Sequence, residues 1–438
     1  MNRKEAEDYI FASYMRSEKF QSYNDKDKNK RHPELTKEIL ENLSTGINIG
    51  ITGSKGKGSL ANMLSQILMA KFRVGLFTSP HILKINERFK VDGKEISDED
   101  FIRIVEDLKI DFDKIEKNLP KSIPISPIGI EAAIGLKYFK EKNTQINIME
   151  FGKGAKYDDV NNVINKYCLI NTIFLEHTRE LGSSLEEIAN DKCNIIKKGQ
   201  IFAYSASQDR QVLKILKNKA RKEGVKIKVY GEDFYGENIS YSFDGMTFDG
   251  VFKDRRIKNI KIPLIGLHQV KNAVLALACA IDIYESLPIE DIKKNLLDLK
   301  YPARFEIISK NPLIILDACI NKKSLEPIKE SLKALKIEDI TSIVGIPDDK
   351  DYFGVVSGVK DISKNIILTK TSNSHYVFTD EQRQKLLANK IFVETSPDIK
   401  EALNMARKYK SPIIILGTTS LISESKEFFQ TTGLFQHL

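Results

Sequence analysis

"INIGITGSKGKGSLANMLSQIL", residues Ile47 to Leu68, joins a short apolar run to a helix-period run through a loop with three glycines and two lysines. A strand that feeds a glycine-rich turn opening a helix aims several backbone N–H groups and the positive end of the helix dipole at one spot. That is how a chain grips phosphate. The standard phosphate loop has four residues between its first glycine and its Gly-Lys-Ser/Thr. Here Gly53 is followed by only Ser54 and Lys55 before Gly56, Lys57, Gly58 and Ser59, so the loop is a shortened variant. A Gly-Lys-rich turn alone is as often a plain surface loop; the strand before it and the helix after it favour the nucleotide reading. Lys57 then reaches the β- and γ-phosphates, and Ser59 sits near Mg²⁺.

Outward from this stretch, the first 200 residues alternate β and α. "VGLFTS", "INIMEF" and "CLINTIF" are short apolar runs of buried strands, while "SLANMLSQILMA" and "GIEAAIGLKYFKEK" carry helical periodicity. The pattern predicts an α/β fold, a parallel sheet covered by helices. From Ile201 to about Pro263, segments punctuated by Gly, Tyr and Phe, such as "VYGEDFYGENISYSFDGMTFDGVF", predict a small antiparallel insertion. "QVKNAVLALACAIDIY" returns to helix. After "YPARFEIISKNP" a second βα series starts, with strands at "LIILDA", "TSIVGI", "NIILTK", "IFVET" and "PIIILG". Two domains are expected, residues 1–297 with the phosphate loop and the insertion, and residues 298–438 as a Rossmann-like α/β unit.

Composition narrows the function classes. Charged residues make up 29% and hydrophobic residues 41% of 438, the balance of a soluble globular chain with room for a large core. No run approaches a membrane span, and "MNRKEAEDYIFASYMRSEKF" has no continuous apolar stretch of a secretory signal, so a cytoplasmic address is expected. Cys168, Cys193, Cys279 and Cys319 lie far apart with no C-x-x-C pair, against both a zinc site and a disulfide framework. The net charge of +8 is spread along the chain with acidic residues interleaved even in "NDKDKNKRH", which argues for a solvated surface and against nucleic acid. A monomer that binds small molecules is expected.

Several further motifs follow in order. "GLFTSPHILKINERFKVDGKEISDEDF" begins at Gly75, "MEFGKGAKYDDVNNV" at Met149, and "LEHTRELGSSLEEIANDKCNIIKKG" at Leu175. "GLHQVKNA", "PARFE", "LDACIN", "GIPDDKD" and "LGTTSLISE" complete the series. With the shortened phosphate loop, this ordered set resembles the folylpolyglutamate synthase branch of the Mur ligase superfamily over nearly the whole chain. The resemblance implies an ATP-dependent amide ligase. Such an enzyme transfers the γ-phosphoryl group of ATP to a carboxylate, and an amine then displaces phosphate from the acyl phosphate.

By the same resemblance, Ser79, Glu150 and His177 stand at the family's Mg²⁺ positions, although imidazole is an unusual ligand for so hard an ion. Lys192 would be carbamylated by CO₂, turning a cation into an anion able to hold a second metal or align the acyl phosphate. That reaction needs a neutral amine, hence burial or nearby cations. His268, Gln269 and Asn272 would border the adenine, and Arg304 and Asp317 would reach the nucleotide from the second domain. "PDDKD", residues 347–351, is either a ligand contact or an exposed loop.

Departures from the family pattern bear on the substrate. Ile320 in "DACIN" replaces a histidine expected near the phosphates, Lys55 an asparagine, Lys156 an arginine, and Glu176 an aspartate. Lysine does not reproduce the two-pronged fork of arginine, and isoleucine cannot donate a hydrogen bond. Three readings stand: glutamate ligation to a folate-like acceptor, the same chemistry on another acceptor such as a cell-wall precursor, cofactor or specialised metabolite, and a nucleotide-binding regulator that has lost ligation.

Overall fold

The computed structural model of the chain describes residues 1–20, 27–253, 255–347, 350–372 and 380–432. Residues 348 and 349 of "PDDKD" therefore lie outside the described residues. Contacts divide the chain into two compact units. The first comprises Met1–Glu237, Asp249–Ile260 and Lys271–Leu299; the second comprises Asn238–Phe248, Lys261–Val270 and Lys300–Leu438.

The first unit carries an eight-stranded sheet. Its strands are β1 (Ile47–Thr52), β2 (Val74–Phe77), β3 (Phe89–Val91), β4 (Lys94–Glu95), β5 (Ile146–Glu150), β6 (Asn165–Ile170), β7 (Phe202–Ser205) and β8 (Lys226–Val229). The spatial order is β4-β3-β2-β5-β1-β6-β7-β8. β1 lies parallel between β5 and β6, and only the β2–β3–β4 edge is antiparallel. The central strands are buried on both faces because helices cover both; in β1, Ile49 and Ile51 on one face and Asn48 and Thr52 on the other are all buried.

Helix Lys57–Leu68 returns the chain from β1 toward β2, and helix Pro127–Glu141, with proline in its first turn, precedes β5. Helix Asp98–Glu116 starts at Ser97, whose hydroxyl accepts from the Asp100 N–H, and buries Phe101, Ile104, Val105, Leu108 and Phe112 on one stripe. The rings of Phe77, Phe89 and Phe101 stack in sequence, with centroids 5.8 and 6.1 Å apart, and anchor that helix to the β2–β3 edge.

One sequence expectation is corrected. The stretch from Ile201 was read as the start of the antiparallel insertion, but β7, helix Arg210–Glu223 and β8 continue the parallel series. The helix was hidden by its charge: Val212, Leu216 and Ala220 form a narrow apolar stripe among the six lysines and arginines of "RQVLKILKNKARKE". The insertion proper begins at Phe234, with β9 (Phe234–Ser242), β10 (Gly245–Phe252) and β11 (Arg255–Ile262) ordered as neighbours. Their two-residue connections permit only hairpin pairing.

The second unit holds β12 (Glu306–Lys310), β13 (Leu313–Asp317), β14 (Ile340–Gly345), β15 (Ser363–Leu368), β16 (Glu394–Thr395) and β17 (Ile413–Gly417), ordered β12-β13-β17-β14-β15-β16. All pairs but β12–β13 are parallel. "IFVET" shrinks to a two-residue edge strand, because Phe392 is exposed and cannot sit in a core.

Candidate active site

Parallel strands present their carboxyl ends at one edge, and an open α/β sheet binds ligands there. In the first unit the sequence candidates follow the carboxyl ends of β2 (Ser79), β5 (Glu150), β1 (Gly53 to Ser59) and β6 (His177). Gly53 and Gly56 take φ of +146° and +76°, so the loop turns through conformations that residues with a Cβ adopt at a cost. Gly56 caps helix Lys57–Leu68 with no side-chain hydrogen bond, and the first-turn N–H groups carry no competing cap.

Two lysines converge on this loop. Lys57 Nζ donates to the Gly53 carbonyl at 3.1 Å, and Lys192 Nζ donates to the same oxygen at 3.1 Å. Lys192 is wholly buried on helix Leu185–Lys192; its ammonium also donates to the Lys153 carbonyl and lies 3.3 Å from Glu176 Oε1. Burial, and then the charge of Lys57, push its pKa down to about 8 against the pull of Glu176.

The glycine turn after Glu150 is held from beneath. Asp158 Oδ2 accepts the Gly152 N–H at 2.7 Å, Asp191 Oδ1 accepts the Ala155 N–H at 2.7 Å, and Lys153 Nζ bonds Glu180 at 2.9 Å. Glu150 Oε2 accepts the Ser79 N–H at 3.2 Å, which joins two of the expected Mg²⁺ residues. His177 sits at φ +47°, with Nε2 3.9 Å from Glu176 and Nδ1 4.0 Å from Glu180. Burial pushes its imidazole below the usual range despite those two carboxylates. Ser59 Oγ is buried without a hydrogen-bond partner. An orphaned hydroxyl is a hard oxygen, the donor type that fits Mg²⁺ alongside phosphate and water. Among the described residues no group of three or more His, Cys, Asp or Glu is placed to hold a metal.

Not every loop residue faces outward. Ser54 is buried, and its hydroxyl donates to the Phe174 carbonyl and accepts the Phe174 N–H, both at 3.0 Å, so it fastens the loop to the segment after β6. Lys55 and Gly58 complete the loop. Asn272, one turn into helix Leu267–Ile283, accepts from Asn171 at 2.8 Å beside Gly56.

The other candidates belong to the second unit. Gly266, at φ +122°, approaches the His268 ring so closely that a Cβ there would lie 2.7 Å from Nδ1, and the buried Gln269 donates its N–H to the Gly266 carbonyl. Asp317 Oδ2 accepts the Phe305 N–H at 2.8 Å and Arg304 donates to the Ala303 carbonyl, which pins the "PARFE" turn. Ile320 is half-buried. Sequence reasoning missed Asp191 and Asn171 and took Glu176 only as a departure. Asp191 stands next to Lys192 in "NDK", and that adjacency was the one available signal.

Residues 51–280, more than half of the chain, match the model of the Mur ligase middle domain, and the chain belongs to the Mur ligase family. It is an ATP-dependent, ADP-forming ligase. Its branch is that of the folylpolyglutamate synthases. The folylpolyglutamate synthase of Lacticaseibacillus casei is 26% identical over 385 residues, covering 86% of this chain and 89% of that protein. The dihydrofolate synthase/folylpolyglutamate synthase of Bacillus subtilis is 26% identical over 396 residues with the same coverage. The crystal structure of folylpolyglutamate synthase from Thermotoga maritima superposes with a TM-score of 0.81 at 27% identity, over 92% of this chain and 94% of that one.

Proposed function

We propose that the chain joins glutamate through an amide bond to a carboxylate of a folate-type acceptor. The observation that carries this reading is the convergence of Lys57 and Lys192 on the Gly53 carbonyl, at the strand edge that also holds Glu150 and Ser79. The names of the curated relatives support the choice of acceptor.

In this reading the loop N–H groups and Lys57 hold the β- and γ-phosphates. An oxygen of the acceptor carboxylate attacks the γ-phosphorus, the bond to the β-phosphate oxygen breaks, and ADP leaves. The α-amine of glutamate then attacks the acyl carbon and loses a proton, and phosphate departs with the carboxylate oxygen. The work is positioning and neutralisation of charge on the moving phosphoryl group. Ser59, Glu150, Ser79 and His177 would hold Mg²⁺, which would supply screening of the charge on the phosphate oxygens. Arg304, Asp317, His268, Gln269 and Asn272 are assigned to the nucleotide.

Carbamylation of Lys192 belongs to the same reading: the neutral amine adds to CO₂ and releases one proton, and Glu176 then turns away from the new anion. Labelled bicarbonate should give a carbamate carbon signal that Lys192→Ala lacks, and small carboxylates should restore part of that variant's activity. A Lys192→Arg enzyme as active as wild type would exclude it. We further read the enzyme as a cytoplasmic monomer, in keeping with four free, buried cysteines; light scattering would test the monomer.

The reading is tested by incubating the protein with ATP, Mg²⁺, glutamate and either tetrahydrofolate or dihydropteroate, followed by mass spectrometry. An acceptor heavier by one glutamyl residue is expected. If both pterins stay unchanged while another carboxylic acid gains the residue, the acceptor is of another class; Ile320 and Lys156 are the positions that would then account for it.

A further inference from the structure

Asn171 follows β6 directly, and all four of its polar groups are spoken for. Its N–H donates to the Thr52 carbonyl at 2.8 Å, its carbonyl accepts from Gln208 at 3.0 Å, its Oδ1 accepts the Thr172 N–H at 2.7 Å, and its Nδ2 donates to Asn272 Oδ1 at 2.8 Å. Both asparagines are about 95% buried, with 5% and 4% exposure. A backbone N–H can only donate, so the atom facing Thr172 must be the oxygen of Asn171. Its amide nitrogen must then face Asn272, which must answer with oxygen. The orientation of both amides is thereby fixed by one backbone hydrogen.

The pair lies over the phosphate loop. A Cβ on Gly56 would come 2.7 Å from Asn171 Nδ2 and 3.3 Å from Asn272 Nδ2, and a Cβ on Gly53 would come 2.7 Å from Asn171 Cβ. We infer that Asn171 is a positioning residue for nucleotide binding, which acts by turning the Asn272 amide so that its oxygen faces Asn171 and its NH₂ faces the loop side. The inference rests on the nucleotide reading of the loop and adds a residue that touches no reacting atom.

A double-mutant cycle on the full chain with ADP and Mg²⁺ tests it by calorimetry. Leucine keeps the branched side-chain skeleton of asparagine and adds no charge. Asn171→Leu and Asn272→Leu should each weaken ADP binding by about tenfold, the scale of one hydrogen bond lost with its partner left wanting. Because one residue acts through the other, the double variant should lose about tenfold too, instead of about a hundredfold. Wild-type affinity in Asn171→Leu, or losses that multiply, would overturn the inference while ADP binding by the parent chain upholds the nucleotide site. No ADP binding by the parent chain would instead overturn the nucleotide reading and the inference with it. Should Asn171→Leu fail to fold, Asn171→Ser, too short to reach Asn272, takes its place in the cycle with the same expected outcomes.

Discussion

The Gly53 carbonyl accepts from two lysines at once, one partly exposed and one wholly buried. Burial first, and then repulsion by Lys57 at the shared oxygen, lower the pKa of the buried lysine. When an anionic phosphate enters, Lys57 has a stronger partner to turn to. Lys57→Ala should therefore lower kcat by about 10² or more at saturating ATP, the scale of losing a main electrostatic contact in a dry site. Near-wild-type turnover would remove the phosphate-loop assignment. Gly56 supplies the second check at this scale. An alanine there, at φ +76° and driven against Asn171, should destabilise the chain by about 1–2 kcal/mol in denaturant unfolding and weaken ADP binding with it. Lys57 and Lys192 were legible as candidates because their spacings belong to ordered motifs. Asn171 and Asp191 were not, since their partners Asn272 and Ala155 lie far along the chain and no local pattern records such contacts.

At the scale of elements, the short apolar-rich runs did most of the work where strands were buried on both faces, as in β1, β5 and β14. It failed for helix Arg210–Glu223, whose buried stripe is one residue wide, and for β12, which follows the "PARFE" turn with mixed burial. The short 3-10 turn Asp159–Asn162 offers a test of how a buried carboxylate is tolerated next to Asp158, which holds the glycine turn. Burial pushes the Asp159 carboxyl up from 3.8 to about 6, while Thr36, donating to Oδ1 at 2.8 Å, holds it down. Between those values the folded chain binds more protons than the unfolded one, so stability falls as pH rises through the window. Asp159→Asn cannot ionise. It should match wild type below pH ~4 and be more stable above pH ~6, by about 3 kcal/mol at most. Melting curves across that range would show it, and a gap that does not change with pH would contradict it.

At the scale of the whole molecule, an excess of 68 Lys and Arg over 60 Asp and Glu favours approach by polyanions such as ATP and a pterin with carboxylates. Raising ionic strength from about 0.05 to about 0.5 M should lower kcat/KM severalfold with kcat little changed, because screening acts on encounter more than on the closed site. An unchanged kcat/KM would assign the charge to solvation alone. The second βα series was legible from its apolar runs, whereas the grouping of residues 238–248 and 261–270 with the second unit was not, since strand periodicity says nothing about which core a hairpin joins. The measurement that bears most directly on ligation through an acyl phosphate is the fate of a heavy-oxygen label. With the acceptor carboxylate labelled, each turnover should release ADP only when both acceptor and glutamate are present, and one labelled oxygen should appear in the inorganic phosphate. Amide product formed with unlabelled phosphate, or ADP released without the acceptor at the full rate, would contradict it.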